Sequence, residues 1–159
     1  MFGFFKKYDA HLCSAVSGRI LDNGKPVAAL KIERILVDFD SKERKDSTIT
    51  DQNGDFSLPA VNIRSRSPAS LFRELLTKQK IYFKKQDELF TLWSTTLWGV
   101  EPINAYDKKL SQLNAELTDP EVYFNFTKDY ESNDMHGACS ICRWDSDFEI
   151  HHIIEDETI

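Results

Sequence analysis

Two Asn-Gly pairs, Asn23-Gly24 and Asn53-Gly54, constrain what this chain can fold into more than any other feature. Strand-like runs flank the first, Val16 to Leu21 before it and Val27 to Glu33 after it. Ser47-Thr48-Ile49-Thr50 and Phe56-Ser57-Leu58 flank the second. Both residues of the pair tolerate the positive φ that tight turns require, so Asn-Gly between such runs predicts a hairpin. Pro59 ends the last run by withholding a backbone donor. The pattern predicts antiparallel β structure over residues 16–59, with Gly24 and Gly54 at positive φ.

The same residues carry a resemblance. Val16, Gly18, Ile20, Gly24, Pro26, Val27, Ala28, Ala29 and Leu30, followed by Thr50, Asp51, Gly54, Phe56 and Leu58, resemble the motif of the carboxypeptidase regulatory-like, or transthyretin-like, domain. The resemblance implies a seven-stranded antiparallel β-sandwich, usually without catalytic residues of its own. The whole chain is also similar to a small bacterial group built on that sandwich. In that group a Phe/Lys start, a Trp-Ser-Thr-Thr stretch (here Trp93 to Thr96) and a Cys-Arg-Trp (here Cys142 to Trp144) recur. Its members are associated with interbacterial toxin genes.

Further along, Ala28 to Asp38 reads as a strand and Asp40 to Lys45 as a polar loop. Ser67-Pro68 suits the start of a helix near 68–77, because Ser caps the free amides and Pro lacks the N–H that would go unpaired. Leu71, Phe72, Leu75 and Leu76 supply its apolar face. Lys80 to Lys84 and Leu89 to Thr96 form a hairpin around Gln86-Asp87-Glu88. Trp93, Trp98, Tyr82, Phe83 and Phe90 read mostly as core, since large aromatics dominate core energetics. Leu113, Ala115 and Leu117 alternate as a last core strand, although Leu110, Leu113 and Leu117 also fit helical spacing. Val122 to Phe126 suggests an edge strand and Phe148 to Ile154 a final one. The expected organisation is a lead-in at 1–10, a sandwich at 11–118 and an acidic C-terminal extension at 119–159. Val16, Ile20, Leu30, Phe56, Leu58, Trp93 and Leu117 are the expected core.

At 159 residues the chain is long enough for a core that needs neither disulfide nor metal. No apolar run approaches the ~18 residues a membrane-crossing helix needs. The start is apolar first and basic second, the reverse of a secretory signal, and three cysteines suit reduced thiols, so a cytoplasmic location is expected. From Asp119 onward 11 acidic residues face Lys128 and Arg143, a net of −9, whereas the first 118 residues hold 15 acidic and 18 basic, a net of +3. This acidic segment suits a basic protein partner. It disfavours nucleic acid, as does a pI near 5.2, because phosphate contacts need clustered Lys and Arg.

Candidate chemistry is sparse. His136, Cys139 and Cys142 have the local spacing for zinc, but a structural zinc site usually carries two such pairs, so plain thiols and no cofactor are expected. His151 and His152, adjacent on a strand, point to opposite faces. No nucleophile elbow and no phosphate loop occur among only six glycines. The expectation is a non-catalytic protein-binding module. More specifically it is an immunity protein that neutralises a bacterial toxin of the type VI secretion kind by direct contact. Asp145, Asp147, Glu149, Glu155, Asp156 and Glu157 are its candidate partner-binding residues. The alternatives are a structural accessory of a secretion or surface assembly, and a small zinc- or thiol-dependent protein using Cys139 and Cys142.

Overall fold

The computed structural model of the chain describes residues 7–65, 75–126 and 136–151. Its elements run β1 (Tyr8–Cys13), β2 (Val16–Asp22), β3 (Lys25–Pro26), β4 (Lys31–Val37), β5 (Glu43–Ile49), β6 (Asp55–Leu58), β7 (Val61–Ser65), β8 (Leu76–Lys85) and β9 (Glu88–Trp98). There follow α1 (Asn104–Leu110), β10 (Ala115–Glu116), β11 (Val122–Asn125), β12 (Gly137–Ser140) and β13 (Glu149–His151). One sheet has seven strands in the order β13-β11-β12-β9-β8-β4-β5. In a second, β2 is flanked by β10, β3 and β6, and β1 pairs with β7 in a third. All pairings are antiparallel except β10 with β2. The fold is all-β.

Strict alternation makes the layers. In β4, Ile32, Arg34 and Leu36 are buried while Lys31, Glu33, Ile35 and Val37 are not. In β8, Thr77, Gln79, Ile81 and Phe83 are buried while Lys78, Lys80, Tyr82 and Lys84 alternate with them. The smaller sheets cover the buried side. Gln79 Nε2 donates to the Leu12 carbonyl at 2.7 Å, and Lys85 Nζ lies 2.9 Å from Asp22. Leu12, Val16, Ile20, Phe56 and Leu58 join Ile32, Leu36, Ile81, Phe83 and Trp93 in one buried cluster, a β-sandwich core. Each such side chain contributes about 1.5–3 kcal/mol on burial, against about 0–1 kcal/mol for a surface ion pair, so apolar packing holds the layers together.

The first Asn-Gly turn closes the β2–β3 hairpin, with Asn23 at φ 50° and Gly24 at φ 75°. The second differs from a hairpin. Gly54 has φ 76°, but β6 pairs with β2 while β5 pairs with β4. The turn is a corner that carries the chain between sheets. The Asp51 carboxylate holds it by accepting from the amides of Asn53 and Asp55. Gln86 and Asp87, at φ 51° and 65°, turn β8 into β9 as expected.

Other expectations shift. Residues 68–74 of the helix expected near 68–77 lie outside the described residues, and Leu76 and Thr77 belong to β8. The helix that is seen, α1, instead buries Tyr106 and Leu110. Leu113 follows it, fully buried. Leu117 is half-buried rather than core, because only Ala115 and Glu116 pair with β2 before the chain leaves the sheet. β11 lies inside the large sheet, between β12 and β13. The described strands beyond Asp119 are therefore woven into the sandwich.

That segment is anchored by aromatic rings. Trp144 meets Trp93, Phe124 and Phe126 edge-on, and Phe126 stacks on Trp93 at 5.8 Å. Lys109 Nζ, from α1, sits 5.6–5.7 Å from the rings of Phe126, Trp144 and Phe148 and donates to the Ser146 carbonyl at 2.5 Å. A bulge at Leu92 in β9 completes the seam. The Leu92 carbonyl accepts from Ser140 Oγ, and the Thr91 carbonyl from the Ile141 amide.

Among the described residues Arg34 is the one charged group with 0% exposure. Its Nε and Nη2 donate to Asp46 at 2.8 and 2.5 Å, and Nη1 has no hydrogen-bond partner.

Two outcomes follow from this packing. Gly24→Val is expected to cost about 1 kcal/mol through its φ alone. Gly54→Val should cost more, because a Cβ there collides with the Ile20 carbonyl oxygen. Urea midpoints for the two variants check the order. Asp46→Asn should destabilise more than Arg34→Met, by about 2 kcal/mol, since a buried guanidinium without its carboxylate is worse than none. Equal losses in the same titration would refute that assignment.

Candidate functional site

The face of the large sheet turned away from the core has a legible order. Successive cross-strand partners place Lys45, Ile35, Lys80, Ser94, Cys139, Tyr123 and His151 in one row across all seven strands. The next row runs Glu43, Val37, Lys78 and Thr96, and Trp98 stands opposite Leu76. None of these residues is buried. A groove of about 530 Å³ lies between them, lined by Ile35, Val37, Lys78, Lys80, Thr96 and Trp98.

The groove exists because β9 and β12 are paired at one position only, Ser94 with Cys139. Beyond it the Gly137 carbonyl accepts from the hydroxyls of Thr95 and Tyr106 in place of ladder bonds. Gly137 has no side chain to fill the gap, and a Cβ there would strike the Tyr123 hydroxyl. Tyr106, reaching up from α1, forms part of the floor. Burial raises its pKa from the usual 10.0, so it remains a neutral donor.

Charge on this face is unevenly matched. Lys31 lies 3.3 Å from Glu33 and Lys45 2.8 Å from Glu43, which raises the Lys45 pKa. Lys78 and Lys80 have no carboxylate partner among the described residues. Lys80 Nζ lies 5.5 Å from the Tyr82 ring. Trp98, read from sequence as a core aromatic, is 57% exposed. It is the last residue of β9, past the inward-facing Leu97, so its ring falls on the open side.

The residues singled out in the sequence are scattered. Asp145 and Asp147 are exposed in the turn before β13, and Glu149 is exposed on β13, opposite Asn125 and on the groove side of the sheet. Glu155, Asp156 and Glu157 lie outside the described residues, as does His152. His136 sits edge-on to the Tyr106 ring at 5.7 Å, Cys139 is on the open face, and Cys142 is fully buried with its thiol 3.6 Å from the Leu92 carbonyl. Among the described residues no three His, Cys, Asp or Glu side chains gather as a metal site. His151 is on the open face, tilted against Tyr123.

A second polar cluster joins β1 to α1. Ser14 Oγ donates to Asp107 and lies 3.0 Å from His11 Nε2, while His11 Nδ1 is 2.8 Å from Asn62. In a nucleophilic triad the imidazole stands between serine and acid, so that it can take the hydroxyl proton. Here the hydroxyl stands between them and its proton goes to the carboxylate. The cluster acts as a tie between elements.

Missed in the sequence were Lys78, Lys80 and Trp98. The alternation Lys78-Lys80-Tyr82-Lys84 was the available signal, since a period of two places all four on one face.

Fold and site together define a β-sandwich whose large sheet has one covered face and one open face bearing a lysine- and tryptophan-lined groove. Residues 16–120 match the family model described as Domain of unknown function (DUF6795), and the chain belongs to that family. No curated protein and no solved structure matches it. The chain has no described helix long and apolar enough to cross a membrane.

The thiols differ in reach. Burial pushes Cys142 up to about 12 and Cys13 to about 11, while half-buried Cys139 is raised less, by burial and then by Glu121. Only thiolate reacts readily, so alkylation at pH 8 should label Cys139 first and reach Cys13 and Cys142 only on unfolding. Peptide mass mapping after timed iodoacetamide treatment checks the order. Because the buried thiols hold their protons longer in the folded state, stability should be unaffected below the ordinary value of 9.0 and fall as pH rises through it.

Proposed function

We propose that this protein is a non-catalytic protein-binding module on a carboxypeptidase regulatory-like, transthyretin-like sandwich. Its specific role is that of an immunity protein, which neutralises a bacterial toxin of the type VI secretion kind by direct contact in the cytoplasm. The observation that carries the reading is Trp98, 57% exposed beside an open groove on a sheet face. An indole in water at a concave surface is costly to leave exposed and gains on being covered, and Trp leads the residues that dominate protein contacts.

Two further features support it. Val16, Ile20, Phe56 and Leu58 are buried and Gly24 and Gly54 have positive φ, as the motif of that sandwich requires. Asp145, Asp147 and Glu149 are exposed at the β13 end of the same sheet, where their charge steers a basic partner to the face.

The test is binding to the product of a neighbouring toxin gene. Trp98→Ala should weaken binding by about 2 kcal/mol or more with the melting temperature unchanged. Joint neutralisation of Asp145, Asp147 and Glu149 should slow association more than it speeds dissociation, and flatten the fall of the on-rate with salt. Unchanged affinity in a folded Trp98→Ala variant would defeat the reading.

A further inference from the structure

We infer that the groove takes an extended acidic segment of the protein partner, with two carboxylates on Lys78 and Lys80 and an apolar side chain on Trp98. This rests on the protein-binding reading and names the chemistry of the segment that docks.

The chain carries a net −6, yet its open groove presents two lysines with no carboxylate partner among the described residues. On the same face Lys31 and Lys45, outside the groove, are each matched by a glutamate of their own strand. Acidic residues are thus available to this face, and none of the described ones lines the groove. Lys78 and Lys80 are two apart on β8, so their ammonium stems rise side by side, about 7 Å apart at the backbone. Lys80 Nζ leans over the Tyr82 ring and neither ammonium has a carboxylate beside it among the described residues, so an anionic occupant gains Coulomb attraction from both.

Geometry sets the occupant's form. Leu76, with Trp98 opposite it, is two residues before Lys78 on the same strand. Trp98, Lys78 and Lys80 therefore make three points stepping about 7 Å each along the groove. An extended peptide repeats its side chains at the same step, so a segment reading apolar-x-acid-x-acid meets all three. Val37 and Ile35 supply apolar wall beside them.

Phosphate could satisfy the same lysines, but the wider surface disfavours a nucleic acid. Polyanion binding draws its energy from neutralising many phosphates, and the groove offers two cations. Glu149, exposed on the same face at β13, repels a continuing phosphate chain. A short acidic segment ends before reaching it.

The test uses the isotope-labelled full chain, titrated with acetyl-Leu-Thr-Glu-Thr-Glu-Thr-amide, with its Gln-for-Glu counterpart and with oligothymidylate. The first peptide should give saturable shifts at the Trp98 indole and the Lys78 and Lys80 amides. The Gln peptide, raised salt and the Lys78→Gln/Lys80→Gln double variant should each weaken it about tenfold, as loss of two exposed charge pairs would. Equal binding of the two peptides, tighter binding of oligothymidylate, shifts elsewhere or none at these residues would each overturn the inference. The binding reading is separable in the toxin assay. If the double lysine variant keeps toxin affinity while Trp98→Ala loses it, the acidic segment is wrong and the binding role stands.

Discussion

The structure depends on the burial of one face of the large sheet. In β4 and β8 every second side chain enters the core, and Ile32, Leu36, Ile81 and Phe83 meet Leu12, Val16, Ile20, Phe56 and Leu58 from the layer above. Because side chains alternate along a regular strand, the same burial forces Ile35, Val37, Lys78 and Lys80 onto the opposite side. The open face is thus a by-product of the core. A register slip of one residue in β8 would bury Lys78, Lys80 and Lys84 and expose Ile81 and Phe83, which makes the alternative folds of this sheet costly.

A second constraint fixes how far that face extends. The last three strands of the chain join the sheet through aromatic contacts around Trp93 and through the bulge at Leu92. Lys109, caged by three rings from the C-terminal segment, ties that segment to α1. Without this seam the row that begins at Lys45 would end at Ser94. With it the row reaches Tyr123 and His151, and the exposed acid Glu149 shares a face with the groove lysines. The loose pairing of β12 with β9, one residue wide, leaves the opening over Gly137.

The buried polar groups are spent on connection. Gln79 joins Leu12 to Trp93 through its amide, accepting from the indole at 2.9 Å, and Arg34 reaches across to Asp46 on the edge strand β5. His11, Ser14 and Asp107 join β1 to α1. Each is a polar bridge between elements that apolar packing alone would leave free to slide, because hydrogen bonds are directional and burial is not. Inside the core Arg34 Nη1 and Thr77 Oγ1 stay unmatched, and on the open face Lys78 and Lys80 lack a carboxylate among the described residues, which is where a partner has something to satisfy.

The sequence alone determined the strands and much of the core. The alternation around Ile32, Ile81 and Phe56, and the turn residues Asn23, Gly24 and Gly54, encode local geometry within a few residues of chain. Periodicity and positive φ need nothing more. It also carried the −9 segment and the dispersal of His136, Cys139 and Cys142 along a strand and a loop, though not their separation in space. Tertiary structure decided the rest. Whether Asn53-Gly54 closes a hairpin or turns a corner depends on which strand β6 finds, and β2 lies nearly forty residues back from it. Trp98 is core or surface according to which side of β9 meets the second layer, and one apolar residue at a strand end does not show it. The groove itself arises where two strands remote in sequence pair at a single position, a property of neither strand alone.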